Sequence, residues 1–270
     1  MIRLVSWNVG GRDLWSELRG LDADVALLQE ARPPVAGSAL EVVPDDLTSW
    51  STAGWQQRRW RTAVARLSDR VELDPVPTMA MEAVTGAADW AISRHGTVTA
   101  TDVKVGGRTI FTAASVYAAW EQSPQGLIYA DGSAHRILSD LSALMSAPNH
   151  KLLIAGDWNI LLGYGEHGDA YYKDRYATVF ARAEALGLRF IGPQHPNGRQ
   201  ADPWPNELPT NSRCVPTYHH NRQTPATATR QLDFVFASRS LAHAVSVRAL
   251  NALDEWGPSD HCRVLIDVDA

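Results

Sequence analysis

Lysine is nearly missing from this chain: Lys104, Lys151 and Lys173 are the only lysines among 25 basic residues. That bias hints at a GC-rich bacterial genome and leaves the function open. Cysteine is scarcer still. Cys214 and Cys262 lie far apart and allow at most one disulfide, too little for a secreted disulfide framework. No run approaches the ~18 apolar residues of a membrane helix. The start, Met1 to Asn8, lacks a basic region followed by a long apolar segment and reads as a strand that begins at once. No Pro/Gly/Ser-rich linker, internal repeat or low-complexity run divides the 270 residues. These absences favour one domain over 1–270 in a cytoplasmic protein. A basic excess is lacking too: the net charge is −5 and the pI is about 6.0. That balance does not advertise nucleic-acid binding, although a divalent cation and a local basic patch can offset it.

What the chain does have is 45% hydrophobic residues, enough for a large core. Ile2–Trp7, Asp24–Leu28, Thr62–Leu67, Trp90–Ser93, Thr97–Val105 and Arg108–Tyr117 read as strands. So do Lys151–Ala155, Leu232–Ala237, Ala244–Leu250 and Arg263–Val268. Gly106-Gly107 marks a hairpin. Helices are expected over 13–20, over 134–145 with Ser133 as cap, and over 174–186. The proline-rich segment 192–211 must be irregular. Helices alternate with strands, but hairpins also occur, so the sheets should be mixed.

The chemistry-bearing residues sit where strands end. Asn8 follows Val5-Ser6-Trp7, Glu30 follows Leu27-Leu28-Gln29, and Tyr117 follows Ala114-Ser115-Val116. Asp157 and Asn159 follow Leu152–Ala155; Asp233 interrupts an apolar run; Asp260-His261 precedes Arg263–Ile266. On a shared sheet edge these polar ends would converge. Such an oxygen-rich set suits Mg²⁺ or Mn²⁺. No His-Glu-x-x-His or paired Cys-x-x-Cys points to zinc. The chemistry it supports is metal-assisted attack of water on a phosphorus ester.

Ser6-Trp7-Asn8, Leu28-Gln29-Glu30, Gly156-Asp157-Trp158-Asn159, Gln231-Leu232-Asp233-Phe234 and Ser259-Asp260-His261 carry a family resemblance. In order and approximate spacing the chain resembles the endonuclease/exonuclease/phosphatase superfamily, which includes DNase I and the exonuclease III-type repair nucleases. The resemblance runs from about residue 3 to 268. Each motif is weak alone, and the five in order are strong. It implies an α/β fold, a four-layer α/β/β/α sandwich of two mixed β-sheets packed face to face with helices outside. It also implies Glu30 as principal metal ligand, helped by Asn8 and Asp260. Asp157 would handle the attacking water, with Asn159 beside it. His261 would stabilise the phosphate, oriented by Asp233, and Tyr117 would contact the phosphate. Two departures stand out. Gly10 occupies a position that is acidic or amide in the repair nucleases, and Ala31-Arg32 replaces their Thr-Lys after the glutamate.

Taken singly, several of these features have plainer readings. An isolated Asp-x-Asn after a strand is more often a turn. Trp55–Arg61 alternates aromatics with arginines; it is either a nucleic-acid contact surface including Arg58 and Arg59 or an amphipathic strand. His219–Arg222 and Gly163–Asp169 could shape specificity or simply connect elements, and the plain surface loop is favoured for the former. Arg32 could reach substrate, as could Arg136, for which a solvated helix face is the simpler reading. The leading expectation is a Mg²⁺- or Mn²⁺-dependent phosphodiesterase, an endonuclease on nucleic acid, with DNA ahead of RNA. A phosphatase or phosphodiesterase on a small or lipid phosphoester is the second reading, and a catalytically silent binding protein the third. No membrane or protein partner is implied.

Overall fold

The computed structural model describes residues 1–34, 40–45, 47–50, 60–86, 89–122 and 128–269. Two six-stranded sheets dominate it. The first is built from β1 (Ile2–Asn8), β2 (Val25–Ala31), β3 (Glu41–Val43), β4 (Arg61–Arg66) and, late in the chain, β11 (Val245–Leu250) and β12 (Arg263–Val268). The second contains β5 (Glu72–Val76), β6 (Val98–Val105), β7 (Arg108–Tyr117), β8 (Leu152–Asp157), β9 (Leu188–Gly192) and β10 (Asp233–Ser238). Their orders are β11-β12-β1-β2-β4-β3 and β9-β10-β8-β7-β6-β5. Each sheet has one parallel pair at its centre, β1 with β2 and β7 with β8, flanked by antiparallel partners. The two sheets thus repeat the same pairing pattern.

Period-2 alternation explains the layers. Leu4, Val25, Leu27, Leu153, Ala155, Val235, Ala237, Val264 and Ile266 fill the space between the sheets. Their neighbours point outward. Val5, Trp7, Ala26 and Leu28 meet Trp15, Leu18 and Trp50 on one outer face. Leu152, Ile154, Phe234 and Phe236 pack on the other face against helices α1 (Asp131–Asp140) and α2 (Ala170–Ala185). The result is the expected α/β/β/α sandwich with mixed sheets.

Some local expectations shift. Helix α1 begins at Asp131, with Ser133 buried inside it, and after Asp140 the chain tightens into a 3₁₀ turn over Leu141–Met145. Ser133 is therefore not its cap. Helix α2 starts a turn earlier than expected because Asp169 caps it, accepting from the Tyr171 amide at 2.8 Å. Trp90–Ser93 shrinks to Ala91–Ile92, paired only with Met79–Ala80. The segment 192–211 contains no helix or strand beyond Gly192. No helix of the described residues is long and apolar enough to cross a membrane.

Below the sheet edge, polar side chains tie the two sheets together. The Gln29 amide donates to Ser115 Oγ at 2.9 Å, and Ser115 donates to the Leu28 carbonyl at 2.7 Å. All three groups are buried, so these bonds replace lost hydration and fix the stacking of β2 on β7.

Candidate active site

The alternation that packs the core also delivers the site. Ile2, Leu4, Ser6 and Asn8 share one face of β1; Leu153, Ala155 and Asp157 share one face of β8. The inward rows turn polar toward their ends, at Ser6 and Asn8 of β1 and at Asp157 of β8. Asp157 pairs in register with Tyr117 of β7 and Asp233 of β10. Gly156 permits this pairing: a Cβ there would lie 1.9 Å from the Val116 carbonyl oxygen. Glu30 sits in a bulge where β2 loses register with β4 between Leu28 and Ala31. Its φ of +53° is unusual for a side-chain-bearing residue and costs of order 1–3 kcal/mol. The bulge re-aims the carboxylate into the cleft.

Asn8 bridges the sheets. Its amide donates to Asp157 Oδ2 at 2.9 Å and to Glu30 Oε1 at 3.3 Å, while its carbonyl oxygen accepts from the Gly10 amide at 2.9 Å. Asn159 holds Asp157 from the other side, through its backbone N–H at 2.9 Å and its side-chain amide at 3.1 Å. His261 Nδ1 is 2.9 Å from Asp233 Oδ2, and its Nε2 is 3.8 Å from Asp157 Oδ2. The turn carrying His261 is fastened to β1: Ser259 Oγ donates to the Asn8 carbonyl and Trp7 Nε1 to the His261 carbonyl. Thr217 Oγ1 accepts from the backbone amides of Leu232 and Asp233, fixing the start of β10.

This geometry moves the titrations. Burial raises the pKa of Asp157 to about 8; Asp233 and Glu30 add to the rise and His261 opposes it. For His261, burial disfavours the charged ring, but Asp233 and Asp157 outweigh burial and hold its pKa up at about 10. Asp260 is lowered despite its burial, because His261 and Arg12 favour its charged form. Burial thus favours the protonated form of Asp157, while Asp233 and Asp157 favour the charged form of the His261 ring.

A cleft of about 770 Å³ opens over these groups. Glu30, Tyr117, Asp157, Asn159, Asp260 and His261 line it as the sequence anticipates. Asn8 and Asp233 stand directly behind them. Other expectations fall differently. Arg136 does not line this cleft: it pairs with Glu121, a partner the local sequence could not suggest. Arg32 is exposed and borders a smaller pocket with Val9 and Trp15. Arg58 and Arg59 lie outside the described residues. Arg61, from the same Trp/Arg stretch, is buried and donates to the Thr62 and Ser49 carbonyls, so it serves the core. Asp260 accepts from Arg12 Nη1 at 2.9 Å. A Cβ at Gly10 would lie 2.9 Å from Asp260 Oδ1 and 3.0 Å from Arg12 Nη1, so this ion pair occupies the room that a larger residue 10 would need.

Sequence reasoning missed Trp120, Tyr218 and Arg230, which also line the cleft. It also favoured a plain surface role for His219–Arg222, whereas His220 and Arg222 reach the cleft, as does His167 from the 163–169 loop. The Tyr218 ring lies 4.9 Å from that of His261, and Trp60 meets Tyr117 edge-on at 4.6 Å. Only the adjacency of Arg230 to the Gln231-Leu232-Asp233 motif offered a signal.

Ligand-type atoms of Asp157, Asp233 and His261 lie within 4.8 Å of one another, a cluster with residue types that could hold a metal ion. The Glu30 carboxylate and the Asn8 side-chain amide adjoin it. The family model for Endonuclease/Exonuclease/phosphatase matches residues 5–261, spanning all five motifs.

The chain belongs to the endonuclease/exonuclease/phosphatase family.

Solved structures agree on the fold. The endonuclease domain of TRAS1, a telomere-specific non-LTR retrotransposon, is 15% identical with a TM-score of 0.62, covering 100% of this chain and 99% of that one. An AP endonuclease from Archaeoglobus fulgidus is 15% identical with a TM-score of 0.62, covering 100% of both chains. A 3′-5′ exonuclease from Neisseria meningitidis is 19% identical with a TM-score of 0.61, again covering 100% of both. No curated protein matches the sequence. Within the family, the motif positions of this chain are those brought together at the cleft.

Proposed function

We propose that the chain, acting as one unit over 1–270, is a divalent-metal-dependent phosphodiesterase that cleaves nucleic acid as an endonuclease, with DNA ahead of RNA. The observation that carries this reading is the convergence of Glu30, Asn8, Asp157, Asn159 and the Asp233–His261 pair at one cleft. The overall charge of −5 is no obstacle, because the cleft also carries arginines.

The metal belongs with Glu30, whose carboxylate is a hard oxygen donor suited to Mg²⁺ or Mn²⁺; Asn8, whose amide nitrogen faces Glu30 and whose oxygen accepts from Gly10, would help by turning that oxygen to the ion. The Asp157–Asp233–His261 cluster is a poorer cradle by itself: a charged imidazole has no lone pair to give, and Nδ1 is already engaged by Asp233. Asp260 is engaged by Arg12 and plays a lesser part. A divalent ion held there would supply a Lewis acid to the phosphoryl oxygens and favour the ionised form of Asp157 against the burial, and the lesser push of Asp233 and Glu30, that raise its pKa.

Asp157, ionised, takes a proton from water as its oxygen attacks phosphorus. Asn8 and Asn159 hold the carboxylate in place. The phosphorus–oxygen ester bond breaks, the leaving oxygen takes a proton from solvent water, and Asp157 returns the proton it took to solvent. His261, charged and oriented by Asp233, donates from Nε2 to the phosphoryl oxygen whose charge grows. Tyr117 offers its hydroxyl to the same group. Cys214 and Cys262 are both free, which supports a reducing, cytoplasmic setting.

The test is direct. Purified protein is assayed with Mg²⁺, Mn²⁺ or EDTA on duplex DNA, single-stranded DNA, RNA, inositol phosphates and sphingomyelin. Metal-dependent cleavage of nucleic acid is expected, reduced by ~10² or more in Asp157→Ala and His261→Ala. Cleavage confined to inositol phosphates would remove the nuclease reading; equal activity in wild type and both variants would remove the mechanism.

A further inference from the structure

The cleft holds two kinds of charge. Glu30, Asp157 and Asp260 gather around His261, while His167, His220, Arg222 and Arg230 line the same space. The reaction outlined above uses none of these four. Tyr218 bridges them to the centre: its backbone pairs with Arg230 on one flank and His261 on the other. At ~5 Å per strand spacing, the main chains of Arg230 and His261 lie roughly 10 Å apart. Both groups can therefore meet one substrate.

Arg230 is a held cation. Its Nη2 donates to Glu166 at 2.8 Å, and that carboxylate is only 12% exposed. Glu166 in turn accepts from the Tyr176 hydroxyl at 3.4 Å. A guanidinium has five donors in a planar fork, and the described contacts use one of them. The remaining fork suits a phosphate, which pairs with arginine through parallel hydrogen bonds. Arg222 is exposed and enters the cleft from the neighbouring loop, adding a second cation where Arg230 supplies the fixed one.

We propose that Arg230 and Arg222 form a second phosphate subsite, which receives the strand phosphate next to the one being cleaved. Glu166 is its positioning residue. This rests on the phosphodiesterase reading and narrows it to substrates with at least two phosphates.

The experiment compares bis(p-nitrophenyl) phosphate, a dinucleotide with one internal phosphate, and the same dinucleotide carrying a terminal phosphate. Wild type should favour the doubly phosphorylated dinucleotide. Arg222→Ala and Arg230→Gln should each raise KM for it about 10-fold with kcat nearly unchanged, and leave the two single-phosphate substrates alone. Glu166→Gln should raise the same KM by less. Equal losses on all three substrates, or no change on any, would overturn the subsite. A two-phosphate advantage seen only with an inositol bisphosphate would overturn the strand assignment. Binding separates this idea from the catalytic reading: anisotropy of a labelled oligonucleotide in EDTA needs no turnover. Each variant should weaken binding and reduce the salt slope by about 1. Unchanged slopes in both variants would sink the proposal even if catalysis is confirmed.

Discussion

The Asn8 amide donates to Asp157 Oδ2 at 2.9 Å, joining the edge of one sheet to the edge of the other. Both residues are buried, and each is the last residue of its strand. Removing Asn8 leaves a buried carboxylate short of a donor and Glu30 without its neighbour. Asn8→Ala is expected to lower kcat/KM by ~10² or more while the circular dichroism spectrum is retained. Wild-type kinetics in this variant would mean that the bridge is only structural.

Asp233 sets the state of His261. In Asp233→Asn the ring loses its nearest negative charge, and its pKa should fall from about 10 toward the ordinary 6.5. Nitrogen NMR of the imidazole reads this directly. The same variant should lose ~10² to 10⁴ in kcat, the range for misoriented or uncharged histidine. A ring that still titrates near 10 would point to Asp157 as the dominant partner.

Stability should depend on pH in the metal-free protein. Asp157 rises from 3.8 to about 8 and His261 from 6.5 to about 10 on folding. Each binds its proton more tightly folded than unfolded. Each therefore contributes stability below its unfolded pKa and loses it as pH rises through the folded one. Thermal midpoints in EDTA should fall between about pH 4 and 8 through Asp157 and between about 6.5 and 10 through His261. His261→Gln should flatten the upper part of that slope. A midpoint that climbs over pH 7–10 in EDTA would contradict the paired proton arrangement.

Divalent binding should rest on Glu30. Glu30→Gln is expected to weaken Mn²⁺ binding by roughly 10-fold or more, read by electron paramagnetic resonance of free Mn²⁺. Asp260→Asn should have a smaller effect, because its carboxylate is already committed to Arg12. The reverse ranking would place the ion beside Asp260.

Gly156 is a packing requirement. A Cβ 1.9 Å from the Val116 carbonyl oxygen cannot be accommodated without parting β7 from β8. Gly156→Ala should destabilise by more than about 3 kcal/mol in urea denaturation. Gly20→Ala, whose Cβ would meet only the Glu17 carbonyl oxygen at 3.7 Å, serves as the control and should stay within about 0.5 kcal/mol.

The sequence alone carried the mixed-sheet character and the polar strand ends, because alternation and turn residues act over a few neighbours. Its five motifs carried the family and the candidate groups Glu30, Asp157, Asn159, Asp233 and His261. Strand β5 was not visible: it is Glu72-Leu73-Asp74-Pro75-Val76, a polar edge with a proline. The tertiary structure decided everything that depends on distant partners. Arg136, read locally as a solvated helix face or a substrate contact, was paired by the fold with Glu121. Asp260, expected as a helper at the metal, was shown by the fold to pair with Arg12 over Gly10. Arg230 was an unremarked cation until Glu166, 64 residues away, fixed it at the cleft. Local pattern fixes which way a side chain points, but its charge, partner and task depend on residues that only folding brings within hydrogen-bond reach.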